Sequence, residues 1–200
     1  MKLAFVYAGQ GSQKVGMGSD FYREFPLFAQ VFDHAPVDFD LKELCFSGPE
    51  EKLSQTRYTQ PCMAAFAVGV TDLLYQEGIR PQLAAGLSLG EYSALYAAGV
   101  FSRGTVISTV ALRGKAMEDA AAGLNCGMTA VLGLDREGLQ TACDRASELG
   151  VVQICNYNCP GQLVIGGEKA AVDRAGEIAK ELGAKRCMPL KVSGPFHTRL

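Results

Sequence analysis

The stretch Gly86-Leu87-Ser88-Leu89-Gly90 decides how this sequence folds around its most reactive residue. It lies between an apolar run at 83–87, which predicts a strand, and a segment at 91–98 that is rich in good helix formers. A Gly-x-Ser-x-Gly pattern between a strand and a helix is typical of a nucleophile elbow, a sharp and strained turn that exposes the serine hydroxyl. Ser88 is therefore the candidate nucleophile, and an ordinary buried turn is the alternative.

Composition limits the classes of protein to which the chain can belong. The 200 residues are 48% hydrophobic, enough for a substantial core, and the formal net charge is −2. This net charge, and the lack of a block of basic residues, argue against binding of nucleic acid. The longest apolar run, at 62–70, is too short to cross a bilayer. The N-terminal run lacks a secretory leader pattern, and seven scattered cysteines with only two histidines predict reduced thiols, no metal site and a cytoplasmic location.

The first part of the chain has the pattern of an α/β protein. Its predicted elements are a strand at 3–7 followed by a glycine loop, helical patches at 19–34, a looser segment to about 58, and helices at 61–77 and 103–121. The helix at 61–77 is placed by Thr59-Gln60-Pro61, because a capping threonine close to a proline is typical of a helix start.

The pattern changes after residue 123 and predicts a small subdomain. Its predicted strands lie at 128–133, 151–157, 162–166 and 185–190, its helices at 135–148 and 168–182, and a turn lies at 158–161. The order βαββαβ is that of a ferredoxin-like unit. We therefore expect a hydrolase-like α/β body over 1–123, an inserted ferredoxin-like subdomain over 124–191, and a return to the larger domain over 192–200.

Six segments, in order and in register, together resemble the malonyl-CoA:acyl-carrier-protein transacylases of fatty acid synthesis. They are Phe5-x-x-x-Gly9-Gln10-Gly11-Ser12-Gln13, Thr59-Gln60-Pro61, Gly86-Leu-Ser88-Leu-Gly-Glu91-Tyr-Ser93, Arg113-Gly-x-x-Met117, Asn156-x-Asn158-x-Pro160-x-Gln162 and Gly194-Pro-Phe196-His197. The resemblance covers the chain end to end and implies the same hydrolase-like body with a ferredoxin-like insert. Leu87 departs from the histidine that the family commonly has there. Members of the family are also longer, so we expect the chain to be a fragment.

The catalytic roles rest on chemistry and on this resemblance together. A serine hydroxyl needs a base, and histidine is the side chain that titrates near neutrality. Of the two histidines, His34 lies in a polar stretch and is expected at the surface, whereas His197 matches the family's catalytic histidine. The backbone N–H of Leu89 is expected to stabilise an oxyanion, and the resemblance adds the N–H of Gln10, for which a plain β-turn is the alternative.

Arg113 is the candidate for recognising a carboxylate. It lies in an otherwise apolar helix, where a charge is costly to bury without an anion, and its guanidinium fork matches a carboxylate. A solvated or salt-bridged arginine is the alternative. Met117, one turn later, is expected either to line the acyl pocket or to pack in the core. The remaining substrate-binding candidates are Gln60, Phe196, Asn156 and Asn158, with a helix-start role as the alternative for Gln60 and a turn-shaping role for the two asparagines.

The reaction that the resemblance implies is a ping-pong acyl transfer. Ser88, activated by His197, takes the malonyl group from malonyl-CoA and passes it to the phosphopantetheine thiol of acyl carrier protein. We expect a monomer that needs no cofactor beyond these substrates. A polyketide-type acyltransferase would use the same residues. A serine esterase or thioesterase, which leaves Arg113 unexplained, and an inactive carrier-binding fragment also stay open as functions.

Overall fold

The computed structural model describes residues 2–200, which divide into two compact units. The first unit ends at Ala116 and the second spans Met117–Leu200. The predicted boundaries at 123 and 191 differ from this division and stay predictions. No helix within residues 2–200 combines the length and apolarity that crossing a membrane requires.

The first unit is built on two parallel strands and a set of helices. Its elements are β1 (Ala4–Tyr7), α1 (Ser19–Glu24), α2 (Pro26–Asp33), α3 (Leu41–Ser47), α4 (Glu50–Leu53), α5 (Thr56–Gln76), β2 (Leu83–Gly86), α6 (Leu89–Ala97) and α7 (Arg103–Ala121), the last of which continues into the second unit. β1 pairs with β2 in parallel, from Ala4 opposite Leu83 to Tyr7 opposite Gly86. The glycine loop after β1 and the elbow after β2 therefore both follow the carboxyl ends of the two strands, which is where ligands bind in α/β proteins.

Two apolar clusters hold this unit together. The larger contains Phe28, Phe32, Val68 and Ile107 among other side chains from α2, α3, α5 and α7. The smaller joins three helices, because Ala64 of α5, Leu89 of α6 and Val110 of α7 are all buried against one another. Apart from Gln10, which lies in the loop after β1, the predicted site residues of this unit lie on these three helices or at their ends, so the smaller cluster fixes their mutual positions.

Two predictions for this unit are wrong. The loose segment before residue 58 contains α3 and α4, and α3 begins with a cap in which the Asp40 carboxylate accepts a hydrogen bond from the Glu43 N–H at 2.8 Å. The long helix begins at Thr56, so Thr59 does not cap it and Pro61 lies inside it. The Thr59 hydroxyl instead donates to the carbonyl of Leu53 at 2.5 Å, a contact that anchors this turn of α5 on the end of α4.

The second unit has the βαββαβ order that the sequence predicts. Its elements are β3 (Cys126–Leu132), α8 (Arg136–Ala146), β4 (Val152–Cys159), β5 (Gln162–Glu168), α9 (Lys169–Glu181) and β6 (Arg186–Pro189). The strands form one sheet in the order β4-β5-β3-β6, and each adjacent pair is antiparallel. Buried side chains of α8 and α9 pack against one face of this sheet, among them Leu139, Ile165 and Ile178.

The other face of this sheet is covered by the end of the chain. Val192 and Phe196 pack against Met128, Ala130 and Val164 of the sheet. The backbone N–H of Arg199 also donates to Oε1 of Gln153 at 3.1 Å. Within the second unit, residues 192–200 therefore belong to the packing of the sheet.

One turn in this unit differs from its prediction. β4 continues through Asn158 to Cys159, so the hairpin loop is shorter than 158–161 and Asn158 lies in a strand. Cys159 is opposite Gln162, and Gly161 has φ 81°. Proline followed by a glycine with positive φ is favoured in a type II turn, and two register shifts along β4 accommodate the longer strand.

Candidate active site

Ser88 stands at the N-cap of α6 in a strained backbone conformation. Its φ is 52°, and a non-glycine residue in this region is uncommon. A Cβ at Gly86 would lie 2.0 Å from the backbone of Gly90, and a Cβ at Gly90 would lie 2.3 Å from the carbonyl oxygen of Tyr7. Only glycine fits at both flanks, which is the geometry expected of a nucleophile elbow.

The first backbone N–H groups of α6 lie directly after this serine. Leu89 is the first helical residue, so its N–H has no carbonyl acceptor within the helix and lies at the positive end of the helix dipole. The glycine loop lies beside the elbow, because a Cβ at Gly9 would lie 2.9 Å from the carbonyl oxygen of Leu87. The next residue, Gln10, donates from its side-chain amide to Oγ1 of Thr56 at 3.0 Å, which fastens the loop to α5.

Arg113 contacts two of the predicted site residues directly. Nη1 donates to Oε1 of Gln60 at 2.9 Å, and Nη2 donates to Oγ of Ser88 at 3.0 Å. The guanidinium carbon also lies 5.5 Å from the ring centroid of Tyr92. Within residues 2–200, Arg113 forms no ion pair with an aspartate or glutamate. The salt-bridged alternative for this arginine is therefore wrong.

Close helix packing brings Arg113 to these partners. A Cβ at Gly114 would lie 2.8 Å from the carbonyl oxygen of Thr56, so α7 approaches α5 more closely than a larger residue would allow. Gln60 is fully buried in α5, and its side-chain oxygen accepts a hydrogen bond from Arg113. The helix-start alternative for Gln60 is wrong because α5 begins four residues before it.

A polar network around the buried Asp72, which sequence reasoning missed, ties the same three helices together. The Tyr96 hydroxyl of α6 donates to the Asp72 carboxylate of α5, and Nε of Arg103 in α7 lies 2.6 Å from Oδ2 of Asp72. Burial raises the pKa of the Tyr96 hydroxyl, and the hydrogen bond to Asp72 raises it further. No local sequence signal links these residues, because 24 positions separate Tyr96 from Asp72.

The other predicted site residues lie in the second unit. His197 is exposed and has φ 60°, and residues 194 and 195 before it are buried. The turn is closed by the Thr198 hydroxyl, which donates to the carbonyl of Pro195 at 2.5 Å. Phe196 packs on the sheet as described above, Met117 and Asn156 are half-buried, and Asn158 is exposed. His34 is exposed, as expected, with Nδ1 2.9 Å from the carbonyl oxygen of Gln30.

The structure thus assembles half of the predicted site within one unit. Ser88, Leu89, Gln60 and Arg113 are brought together there, with the Gln10 loop beside the elbow. A serine, a helix N-terminus and a cation that pairs with no carboxylate of the described chain form a site that suits a covalent acyl intermediate bearing a negative charge. Tyr92 is a further contact residue of this group that sequence reasoning missed, although it lies one helical turn after Ser88.

Comparison with known proteins identifies a family. The model of the acyl transferase domain matches residues 4–192. Among curated proteins, the malonyl CoA-acyl carrier protein transacylase of Bacillus subtilis (strain 168) is 44% identical over 202 residues, and that of Escherichia coli (strain K12) is 43% identical over the same length. Each alignment takes in 100% of this chain but only 64% and 65% of the relative, so the chain spans less than two thirds of their length.

Solved structures give the same result. The crystal structure of MCAT from Streptococcus pneumoniae superposes with a TM-score of 0.90 at 51% identity and covers 98% of this chain and 65% of that one. The complex of the malonyl-transacylase PlMCAT with AntF, a type II PKS acyl-carrier protein, superposes with a TM-score of 0.92 at 43% identity, over 98% of this chain and 64% of that one. The predicted mixed α/β fold is confirmed by these likenesses.

Proposed function

Because the chain belongs to the acyl transferase domain family, we propose that it transfers a malonyl group from malonyl-CoA to the phosphopantetheine thiol of acyl carrier protein through an ester on Ser88. The observation that carries this proposal is the 3.0 Å contact between Nη2 of Arg113 and Oγ of Ser88. It holds a permanent positive charge beside the atom that would bear the acyl group. A carboxylate one carbon away from the ester carbonyl would lie within reach of that charge.

The chemistry proceeds in two halves. In the first, His197 accepts the proton of the Ser88 hydroxyl as Oγ attacks the thioester carbonyl, and the N–H groups of Leu89 and Gln10 stabilise the resulting oxyanion. Collapse of this intermediate breaks the C–S bond, and the protonated His197 returns its proton to the departing CoA thiolate. In the second, the carrier thiol gives its proton to His197 and its sulfur attacks the ester carbonyl. Collapse of this second intermediate breaks the bond between the carbonyl carbon and Oγ, and His197 returns the proton to Oγ of Ser88, which restores the free serine. The proposal requires His197 to reach Ser88 in the active protein.

Selectivity for malonyl follows from the charge of Arg113. A guanidinium offers five N–H donors, of which two are used on Gln60 and Ser88, so three remain to bind a carboxylate. An acetyl group has no carboxylate and gains nothing from these donors. The predicted roles of Met117 and Phe196 at the acyl pocket, and of Asn156 and Asn158 as substrate contacts, remain part of the proposal.

The acceptor and the setting are proposed on the same basis. The B. subtilis and E. coli relatives bear the name of malonyl CoA-acyl carrier protein transacylase, and a similar structure contains an acyl-carrier protein of a polyketide pathway, which supports a carrier protein as acceptor. The reaction needs no cofactor beyond the CoA thioester. We place the protein in the cytoplasm as a monomer, in fatty acid synthesis, with polyketide synthesis as the alternative pathway.

Serine esterase and thioesterase activity is the second candidate function. It shares the elbow of Ser88, but it gives no reason for a cation that lies on the nucleophile and that pairs with no carboxylate within residues 2–200. The malonyl transferase accounts for both features, so we prefer it.

The test is acylation of the purified protein. Incubation with malonyl-CoA is expected to add one malonyl group, seen in the intact mass, and Ser88→Ala is expected to abolish the adduct. Addition of acyl carrier protein should then discharge the wild-type adduct onto the carrier. An adduct that persists in Ser88→Ala would refute the assigned nucleophile, and rapid discharge to water alone would favour the thioesterase.

A further inference from the structure

The ring of Tyr92 lies against the cation of the proposed site. The guanidinium carbon of Arg113 is 5.5 Å from the Tyr92 ring centroid, within the range in which a cation is attracted to an aromatic face. Tyr92 is on α6, one turn after Ser88, and therefore projects from the same side of the helix as the nucleophile. Resting on the malonyl transfer proposed above, we propose that Tyr92 is a positioning residue that sets acyl selectivity by holding Arg113 in place.

The ring itself is held from several sides. Tyr92 packs against the cluster of Ala64, Leu89 and Val110, which joins the three helices of the site. On another side it stacks with Phe101, with ring planes 9° apart and centroids separated by 6.4 Å. A ring confined in this way cannot easily follow a moving guanidinium, so it restricts where Arg113 can go.

The three contacts of Arg113 described above share one chemical property, which is that none of them is an anion. Gln60 offers an amide oxygen, Ser88 a hydroxyl oxygen, and Tyr92 the negative face of its ring. A fixed aspartate or glutamate in place of the ring would hold the guanidinium as well, but it would neutralise the charge and compete with the substrate carboxylate. The aromatic face orients the cation and leaves its charge available for the malonyl group.

A positioning role for Tyr92 and a purely structural role predict different effects on the two substrates. If Tyr92 positions Arg113, a substitution at Tyr92 lowers the acylation rate only for substrates that bind Arg113, so malonyl transfer should become slower and acetyl transfer should not. If Tyr92 serves only the core, both acyl groups should be affected equally. The ratio of kcat/KM for malonyl-CoA to that for acetyl-CoA, measured in the acylation half-reaction, separates the two roles.

The experiment compares two substitutions at position 92 with a matched control. Tyr92→Leu removes the ring face and is expected to lower the malonyl-to-acetyl ratio by about 2- to 30-fold. Tyr92→Phe keeps the ring and is expected to preserve most of the ratio. Phe66→Leu, the control, removes a ring that packs in the larger cluster against Phe21 and Phe28, and it should leave the ratio unchanged.

Two further arms keep the test decisive where Tyr92→Leu fails to fold. Replacement of Tyr92 by phenylalanines with one, two and three ring fluorines weakens the negative face at nearly constant shape, and the ratio should fall stepwise with fluorination. In an Arg113→Ala background, fluorination at position 92 should have no effect on the ratio. A ratio that does not change with fluorination in the wild-type background would overturn the proposal. Absence of malonyl transfer by the unmodified protein would instead overturn the proposed function.

Discussion

Arg113 donates a hydrogen bond from Nη2 to Oγ of Ser88, a distance of 3.0 Å. The same guanidinium donates from Nη1 to the buried Gln60. The proposed nucleophile and the cation proposed to recognise the substrate are thus joined by one contact. A substrate carboxylate that binds Arg113 would therefore arrive next to the atom that attacks its own thioester, which couples recognition to reaction.

Arg113→Ala is expected to lower kcat/KM for malonyl-CoA by roughly two to four decades, because loss of a charged pair costs about 3 to 5 kcal/mol. Acetyl transfer should decline much less, since acetyl has no carboxylate. Acylation rates for both substrates, followed by quenched-flow mass spectrometry, measure the two effects. Arg113→Lys is the control, because it keeps the positive charge but lacks the paired N–H donors of the guanidinium. Equal losses of malonyl and acetyl transfer in Arg113→Ala would show that this arginine has a structural role and does not select the substrate.

Gln60→Leu is expected to raise KM for malonyl-CoA by about 10- to 150-fold, because Arg113 would lose one of its two fixed acceptors and a hydrogen bond to a charged group is worth about 1.5 to 3 kcal/mol. Gln60→Glu should also weaken malonyl-CoA binding, but for a different reason, since an added carboxylate would neutralise the guanidinium. Steady-state kinetics with malonyl-CoA and acetyl-CoA check both variants. A Gln60→Glu protein that binds malonyl-CoA more tightly than wild type would contradict this role.

The sequence predicts the elbow well because its requirements are local. Glycines two residues before and after Ser88 are needed where a Cβ would meet backbone within 2.3 Å, and any sequence that builds this turn must show them. The βαββαβ unit is likewise predictable, because alternation and helical periodicity are visible over short windows. What these windows cannot show is which side chains meet across helices.

The contacts of Arg113 illustrate that limit. Its partners Gln60 and Ser88 are 53 and 25 positions away, and the contact with Gln60 depends on α5 starting at Thr56 and on the glycine at position 114. A threonine near a proline resembles a helix start, yet here tertiary packing extends the helix through the proline. The local preference is overridden by burial of this part of α5, as tertiary context commonly overrides propensity.

The free energy of unfolding is expected to fall with rising pH through Tyr96. Burial, with the hydrogen bond to Asp72, raises the pKa of this hydroxyl above its ordinary value of 10.0. Above pH 10 the unfolded chain would lose the proton while the folded protein keeps it, so stability present below pH 10 is lost as pH rises further. Urea unfolding between pH 8 and 11 measures this slope.

Tyr96→Phe provides the comparison for that measurement. It should be less stable than wild type at pH 8, because the Asp72 carboxylate loses a donor, and its stability should decline less steeply above pH 10. The difference between the two proteins should therefore narrow at high pH. Parallel curves for wild type and Tyr96→Phe would show that Tyr96 does not titrate differently in the folded state.

Four basic residues lie near the end of the second unit. Lys185, Arg186, Lys191 and Arg199 are all exposed, and no acidic residue lies between positions 184 and 200. β6, which begins at Arg186, is an edge strand, and charged side chains on an edge also prevent pairing with other chains. The sequence and the fold therefore allow two roles for these charges, attraction of an acidic carrier and protection of the edge.

Reversal of two of these charges distinguishes the roles. If they steer an acidic carrier, Lys185→Glu with Arg186→Glu should lower kcat/KM for the carrier by about tenfold at low salt, because steering acts mainly on the association rate. The loss should disappear at high salt, since the Debye length is about 8 Å at physiological ionic strength and shorter above it. Acylation by malonyl-CoA should be unchanged.

The control is Arg145→Glu with Lys180→Glu, which makes the same change in net charge on α8 and α9 and should leave carrier kinetics unaltered. If both double variants lowered kcat/KM for the carrier equally, the effect would come from net charge and not from these two positions. If the loss in the Lys185→Glu, Arg186→Glu variant did not depend on salt, these residues would not steer the carrier, and protection of the edge strand would be their role.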